Sequence, residues 1–577
     1  MKRLLIYLKK YIKECILGPL FKLLEATFEL IVPLVVADIV DKGITSGDEN
    51  YIITRVLVMV GLGLVGLASS LTAQFFAAKA ATGFATGLRH ALFVHIQGLS
   101  FSEIDEVGTS RFINRITSDV NAVQACVNMV LRLFLRSPFI VFGAMVMAFT
   151  IDTRCALIFC VAIPVLAVVV FGVMLISIPL YRKVQAKLDS ILRITRENLN
   201  GTRVIRAFNK EEKEIADFAE NNAALEKVQL FAGKISALLN PITFVVINVA
   251  MVVLIYTGAL QVDGGILTRG QVIALVNYMS QILVELVKLA NLIIQITKAF
   301  ASAHRIEEIF NVQSSMEYVH VTAEAVDTPY SIEFRNVGLV YKNGGAEALS
   351  NIDFKVKRGS TIGIIGGTGS GKSSIVSMIP RFYDATSGEV IVDGINVKDY
   401  TKEDLRSRIG IVMQKAVLFN GSIRDNIRWG KNDATDEEIS EALRIAQASD
   451  FVSQKDGELD YVIAQGGRNL SGGQRQRLTI ARALVGRPSI LILDDSSSAL
   501  DYATDAALRK AIGSLDYDVT TVIVSQRTAS IRNADMILVL EDGEIVGMGT
   551  HDELLDKCEV YQEIYNTDSN KQAGGAR

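Results

Sequence analysis

Two regimes of hydrophobic patterning divide the chain. Up to about His304 long apolar runs dominate, and from Ser331 onward short apolar stretches alternate with helical ones, as in a soluble α/β domain. A helix that crosses a bilayer needs about 20 mostly apolar residues. Six runs qualify, around residues 18–40, 56–76, 138–149 with its flanks, 156–180, 241–260 and 272–296. A polar stretch, NVQSSMEYVHVTAEAVDTPY, lies between the regimes. The pattern therefore predicts a helical membrane domain of six spans over 1–312, a linker over 313–330 and a soluble α/β domain over 331–577. Ahead of the first span, Leu4, Leu8, Tyr11, Ile12 and Cys15 recur at helical spacing with Lys9, Lys10 and Lys13 between them. That interleaving suits an amphipathic helix on the membrane interface, not a signal peptide, whose apolar core is contiguous.

The loops orient the spans. Spans one and two are joined by DKGITSGDENY, three and four by TIDTR, and five and six by QVDGGILTRG, all short and poor in basic charge. The other two connections run to roughly 55 residues each and are rich in Lys and Arg. The bias of Lys and Arg toward the cytoplasmic side places these connections, both termini and the α/β domain in the cytoplasm. Both connections read as helical, so helices two to five are expected to continue tens of ångströms past the bilayer, at about 1.5 Å per residue.

Polar residues inside spans are costly and rarely face lipid. Lys22, Glu25 and Glu29 share one face of the first span, Gln281, Glu285, Lys288 and Gln295 share one face of the sixth, and Asn248 sits in the fifth. Two readings stand: ion pairs that fix helix packing, or the lining of a substrate cavity in which the acids of the first span favour cations.

Composition supports the division. Half of the 577 residues are hydrophobic and the mean hydropathy is +0.32, too apolar for an ordinary soluble protein. The net charge of −3 leaves no basic footprint for nucleic acid. Five scattered cysteines form no CxxC and no metal spacing, so they read as reduced thiols.

The chemistry lies in the second half. IGIIGGTGSGKSS is a strand, a glycine-rich turn and a helix start, and Gly366, Gly367, Thr368, Gly369, Ser370, Gly371, Lys372 and Ser373 fit the phosphate-binding pattern G-x-x-x-x-G-K-[ST]. Glycines let backbone N–H groups converge on phosphate oxygens, the lysine reaches the β/γ-phosphates and the hydroxyl ligates Mg²⁺. Further on, ILILDDSSSALD runs four aliphatic residues into two adjacent acids, Asp494 and Asp495.

Leu470-Ser471-Gly472-Gly473-Gln474, followed by a helix and then that acidic strand, is similar to the signature of ATP-binding cassette (ABC) transporters. The resemblance covers essentially the whole chain, since six spans fused ahead of one cassette resemble an exporter half-transporter. It implies ATP and Mg²⁺ as cofactors. It also implies that Tyr341 of VGLVYKN stacks on adenine, and that Ser374 joins the phosphate loop. By the same resemblance Ser373, Gln414 and Asp494 serve Mg²⁺, and Ser498-Ala499-Leu500-Asp501 forms the loop between two ATP sites. FSEID, after the second span, and ENLNGTRVIRAFNKEE, after the fourth, resemble coupling segments that rest on the cassettes.

Departures from the family pattern shape the functional expectation. Asp495 stands where the family has a glutamate base, Gln526 replaces the switch histidine, and Gln465 stands where glutamate often precedes the signature. A carboxylate withdrawn by one methylene is displaced by roughly 1.5 Å, and an error of about 1 Å can cost about 10²-fold in rate. In the family each ATP lies between one chain's phosphate loop and the other chain's signature. An impaired base beside an intact signature therefore implies a heterodimer, in which a homologous partner with the glutamate and the histidine receives Ser471 at its own site.

The expectation is a subunit of a heterodimeric exporter in a bacterial plasma membrane, moving small hydrophobic or amphipathic compounds, drugs before lipids or peptides. A slow homodimer using Asp495, or an ATP-gated channel or regulator, are the alternatives.

Overall fold

The computed structural model describes residues 3–574 apart from Ala325 and Asn343, so the chain ends assigned above to the cytoplasm lie outside the described residues. Two compact units form: Met1–Gln97 with Ser110–Val312, and Gly98–Thr109 with Gln313–Arg577.

The first unit is helical. Helices α1 (Ile12–Asp38) and α2 (Glu49–Gln97) lead into the short α3 (Phe101–Val107), which belongs to the second unit. The chain continues through α4 (Val120–Leu133), α5 (Arg136–Ile151), α6 (Thr153–Asn200), α7 (Glu211–Ala237), α8 (Leu239–Asp263) and α9 (Arg269–Asn311). Five helical stretches are long and apolar enough to cross a membrane: Glu49–Gln97, Thr109–Ile151, Thr153–Asn200, Glu211–Asp263 and Arg269–Asn311. The remaining predicted span, α1, has 27 residues and is set apart from these five by its charged residues, Lys22, Glu25 and Glu29.

At 49 and 48 residues, α2 and α6 reach about 70 Å, more than twice the roughly 30 Å of a hydrocarbon core. Helices α2 and α6 each run unbroken over that length, whereas the stretches through the third and fifth predicted spans are divided between α4 and α5 and between α7 and α8. Where α2 packs on α1 and α4 it buries small residues, with Ala77, Ala80 and Ala85 fully inaccessible, which lets helix backbones approach closely. Leu4–Tyr11 is wound as a 3₁₀ helix, with Leu4 buried and Tyr11 lying over Gly83 of α2. The N-terminal segment therefore packs against the bundle while Lys9 and Lys10 stay exposed.

The second unit is built on strands β1 (Tyr330–Leu339), β2 (Leu349–Lys357), β3 (Thr361–Gly366), β4 (Ser387–Val392), β5 (Ile395–Asn396), β6 (Ile409–Val412), β7 (Gly421–Ser422), β8 (Val462–Ile463), β9 (Ile490–Asp494), β10 (Thr520–Val524), β11 (Met536–Glu541) and β12 (Glu544–Gly549). A six-stranded sheet runs β12-β11-β3-β10-β9-β6, a four-stranded antiparallel sheet runs β2-β1-β4-β5, and β7 pairs with β8. β6, β9, β10, β3 and β11 are mutually parallel, and their near-continuous Ile, Leu and Val runs are covered on both faces, as parallel strands must be. Register aligns Val524 of β10 with both Ile364 of β3 and Asp494 of β9. The glycine loop, the acid pair and Gln526 therefore leave the sheet side by side at one carboxyl edge, where ligands bind in open α/β sheets.

Candidate nucleotide-binding site

A cavity of about 300 Å³ opens at that edge, lined by Tyr341, Thr368, Gly369, Gly371, Lys372, Ser373, Ser374, Gln414, Asp494, Asp495 and Gln526. Residues drawn from motifs spread over some 180 positions thus converge on one hollow. Gly366, Gly367 and Ser370 complete the loop: Lys372 Nζ donates to the carbonyls of Gly366 at 2.9 Å and Gly367 at 2.5 Å, and to Ser370 Oγ at 3.4 Å. Helix α10 (Lys372–Met378) begins from Gly371, whose φ of 95° lies in the left-handed region. A Cβ there would meet Leu349 Cδ2 at 2.6 Å, so the turn into the helix requires glycine.

Ser373 Oγ donates to Asp494 Oδ1 at 3.1 Å, and the hydroxyls of Tyr341 and Ser374 share a hydrogen bond of 2.9 Å. The Tyr341 ring also meets Tyr383 edge-on, with centroids 5.2 Å apart. Gln414 Nε2 donates to Asp495 Oδ2 at 3.3 Å. Asp495 itself adopts φ 46°, a conformation that Asp tolerates better than most residues. Gln526 is exposed at the rim.

Three charges in this cavity are pushed toward their neutral forms. Burial lowers the Lys372 pKa against the pull of Asp495 and Asp494. Burial, with Asp495 adding to it, raises Asp494 against the Ser373 hydrogen bond, and burial raises Asp495 against the Gln414 hydrogen bond. A polyphosphate beside Lys372 and a divalent cation beside the two acids would supply the missing countercharges, so the donor set suits a nucleotide with its metal. Among the described residues no group of three or more His, Cys, Asp or Glu side chains could hold a metal. A cation here would share Ser373, Asp494 and Gln414 with phosphate oxygens, the coordination Mg²⁺ favours.

The signature lies apart from this cavity. Ser471 caps helix α11 (Gly472–Leu484) in a reciprocal box: its Oγ accepts from Gln474 N at 3.3 Å, and Gln474 Oε1 accepts from Ser471 N at 3.1 Å. Leu470 is buried, Ser471 and Gly472 are exposed, and Gly473 packs under Ala499 and Leu500 of the Ser498–Asp501 loop. Ser498 Oγ donates to Asp495 O at 2.8 Å, and Asp501 caps α12 (Tyr502–Ile512) by accepting from Thr504 N at 2.8 Å. The loop thus joins the acid pair to the signature helix within one chain, yet no signature residue lines the cavity.

FSEID forms α3 and docks within the second unit. Lys342 Nζ donates to Glu103 Oε1 at 2.6 Å, Tyr383 OH donates to Asp105 Oδ2 at 2.5 Å, and the Phe101 and Phe382 rings lie 4.6 Å apart. The other segment, ENLNGTRVIRAFNKEE, forms the tip between α6 and α7 and leaves Leu199, Val204 and Phe208 at 73%, 61% and 70% exposure, an uncovered apolar tip.

In the membrane unit the polar stripes pair through Arg136, a residue sequence reading passed over. Its guanidinium donates to Glu285 Oε1 and to Glu29 Oε2, each at 2.6 Å, and lies 3.9 Å from Glu25. Ser137 Oγ donates to Glu285 Oε2 at 2.7 Å, Lys288 lies 2.8 Å from Glu285, and Lys22 lies 2.5 Å from Glu25. Three cations meet three carboxylates, so the acids of the first span present no net negative charge to a ligand. Gln281 has a buried side-chain oxygen without a partner, and Gln295 is half-buried on the same helix. Asn248 stands apart, exposed and donating to Phe244 O of its own helix at 2.7 Å.

Comparison with known proteins agrees with both halves. A family model described as "ABC transporter transmembrane region" matches residues 15–286, and one described as "ABC transporter" matches residues 349–498. The chain is 35% identical over 99% of both sequences to "Uncharacterized ABC transporter ATP-binding protein YfiB" of Bacillus subtilis. It is 33% identical, over 98% of both, to "Putative multidrug export ATP-binding/permease protein YgaD" of the same organism. It is 30% identical, over 92% of both, to an "ATP-dependent lipid A-core flippase" of Desulfotalea psychrophila. Among solved structures, a bacterial Atm1-family ABC exporter with ATP bound superposes with a TM-score of 0.77 at 24% identity, over 96% of this chain and 98% of that one.

Proposed function

The chain belongs to the ABC transporter family as an exporter half-transporter, and on that basis we propose that it is the ATP-retaining subunit of a heterodimeric exporter. The carrying observation is one of placement: Asp495 and Gln526 line the cavity that holds Lys372, Ser373 and Asp494, while Ser471 lies outside it, exposed on the chain's own surface. In this reading Tyr341 stacks on adenine, the Gly366–Ser374 loop and Lys372 hold the phosphates, and Ser373, Gln414 and Asp494 would hold Mg²⁺, which when bound would supply positive charge beside the phosphates. Asp495, tied to Gln414, is too short to orient an attacking water well. Gln526 hydrogen-bonds phosphate without exchanging a proton as imidazole does.

Hydrolysis then occurs at the partner's site, where that chain's glutamate and histidine face this chain's Ser471. The uncovered Leu199, Val204 and Phe208 tip supports assembly with a second cassette. ATP closes the two cassettes and opens the membrane cavity outward, and hydrolysis at the partner's site resets it. The membrane is the bacterial plasma membrane, with the basic connections and the cassette on its cytoplasmic side. The cargo is a small hydrophobic or amphipathic compound, a drug before a lipid or peptide.

The test is expression alone and alongside a homologous half-transporter that carries Glu and His at the two positions. The single chain binds ATP but turns it over at least about 10²-fold more slowly than the pair. Brisk Mg-dependent turnover by a verified homodimer overturns the heterodimer and favours slow use of Asp495. Substrate-independent ion conductance on ATP binding favours a channel.

A further inference from the structure

The cassette holds a second hollow, of about 630 Å³, that the nucleotide chemistry does not use. It forms because α12 stops at Ile512 and the chain then returns to β10 through residues 513–519. Along that return Leu515, Tyr517 and Val519 are drawn onto the core, while Ser514, Asp516 and Asp518 stay exposed. The floor is the amino ends of β3 and β10, so the hollow lies at the sheet edge opposite the nucleotide cavity. Its volume is within the range of pockets that hold small ligands, about 300–1,000 Å³.

Polar groups without partners stand on this apolar ground. Thr361 and Thr521 are register partners on adjacent parallel strands, so their side chains share one face of the sheet, and both line the hollow. Thr521 is 3% exposed, yet neither hydroxyl has a hydrogen-bond partner among the described residues. A hydroxyl so placed needs a partner that the chain does not supply. At the rim Lys510 and Asp518 both line the hollow, and neither has an ion-pair partner among the described residues. The third charge, Arg509, is committed within the fold: its Nη2 lies 3.0 Å from Asp505 Oδ2, and its Nη1 donates to Ala529 O at 2.9 Å.

An unpaired ammonium and an unpaired carboxylate above an apolar bed match a ligand that carries both opposite charges on an apolar body. We propose that this hollow is an effector site for a small apolar zwitterion, an amino acid or a short peptide. Its carboxylate meets Lys510, its ammonium meets Asp518, and its apolar side chain lies against Val519 and Ile523. Ser530 lines the same hollow. Its Oγ donates to the buried Asp505 at 3.3 Å and lies 3.5 Å from the Oγ of Ser497, two residues beyond Asp495. An occupant therefore presses on a network that ties α12 to the loops bearing Asp495 and Gln526, and through it shifts ATP affinity. The site requires of the exporter reading only that the cassette binds ATP, and nothing of the partner chain or of hydrolysis.

Isothermal titration of the full-length protein, purified with whatever chain accompanies it, tests the site and its effect. The probes are leucine and leucyl-phenylalanine, each also as its amide and as its N-acetyl derivative; the tighter of the two free forms tells amino acid from peptide. The wild type should prefer the free zwitterion to either capped form by about three- to fivefold, the usual advantage of an accessible ion pair. Lys510→Gln should abolish only the preference over the amide, and Asp518→Asn only the preference over the N-acetyl form. Ala506→Trp, on the exposed side of α12 that lines the hollow, should weaken every probe. A transport cavity in the membrane unit that took the same probes would be indifferent to all three substitutions. Saturating zwitterion should shift the ATP dissociation constant about fivefold or more, and ATP should shift that of the zwitterion by the same factor. An ATP constant equal to that of the wild type without probe reports that each variant is folded. Absence of binding, capped probes that bind as well as free ones, or preferences that ignore Lys510 and Asp518 overturn the site, and an unmoved ATP constant overturns the effector role. None of these results touches the ATPase comparison on which the exporter reading stands.

Discussion

At the scale of single residues, the hydrogen bond from Gln414 to Asp495 and that from Ser373 to Asp494 divide the two adjacent acids between two tasks. The first acid stands with the hydroxyl that follows the phosphate loop; the second leans away on a glutamine. In the complex with its partner, Ser471→Ala should lower steady-state ATPase by about 10²–10³-fold, the usual effect of removing one electrostatic contact to a reacting phosphate. Asp495→Asn should change it less than about threefold, because its own site is already nearly idle. Equal damage from the two variants would mean that both sites work. The nucleotide residues were legible in the sequence because each motif is contiguous and its local geometry travels with it: Gly371 needs its left-handed φ whatever surrounds it. Arg136 was not legible. Its partners Glu29 and Glu285 lie 107 and 149 positions away, and no local spacing records a pairing made only when α1, α5 and α9 pack.

Elements carry the next two expectations. The Arg136 cluster joins α1, α5 and α9, and Glu285 is 2% exposed. Removing one partner of a buried pair strands the other charge, which in soluble proteins costs about 3–5 kcal/mol. Arg136→Gln should therefore lower the melting temperature of the solubilised protein markedly, while Asn248→Ala leaves it unchanged. If Glu285→Gln instead alters substrate preference at an unchanged melting temperature, the stripes line a cavity after all. Helix α3 offers a pH-dependent joint. Burial pushes the Glu103 carboxyl up, but hydrogen bonds from Lys342, Ser100 and Ser315 outweigh it and bring the pKa down to about 2. A depressed folded pKa stabilises the docked helix fully above the ordinary value of 4.5 and loses that contribution as pH falls toward 2. The protection of residues 98–109 against hydrogen exchange, corrected for the intrinsic pH dependence of amide exchange, should accordingly fall between those limits, and Glu103→Gln should remove most of that dependence. The sequence marked FSEID as a segment of interest by resemblance, but the ring and ion contacts that dock it depend on Phe382, Tyr383 and Lys342, far along the chain.

For the whole molecule, restoring catalytic side chains in one subunit should not restore a symmetric machine. Asp495→Glu combined with Gln526→His should raise turnover of the pair by clearly less than about twofold, because in this reading the signature facing that site belongs to a partner free to degrade. A rise to twice the wild-type turnover, with both sites firing, would show the partner's signature to be intact. One feature of the architecture reaches beyond catalysis. The chain passes between its two compact units three times, at residues 97/98, 109/110 and 312/313, because the Gly98–Thr109 segment is counted with the cassette. A cassette grafted from a relative at the obvious seam near residue 313 would therefore leave behind twelve residues that belong to it. Foreign side chains would replace Lys342, Phe382 and Tyr383 opposite a native Glu103, Phe101 and Asp105. Heredity faces the same constraint as the engineer: recombination at that seam alone splits a matched set, so working hybrids must inherit two separated stretches of the gene together.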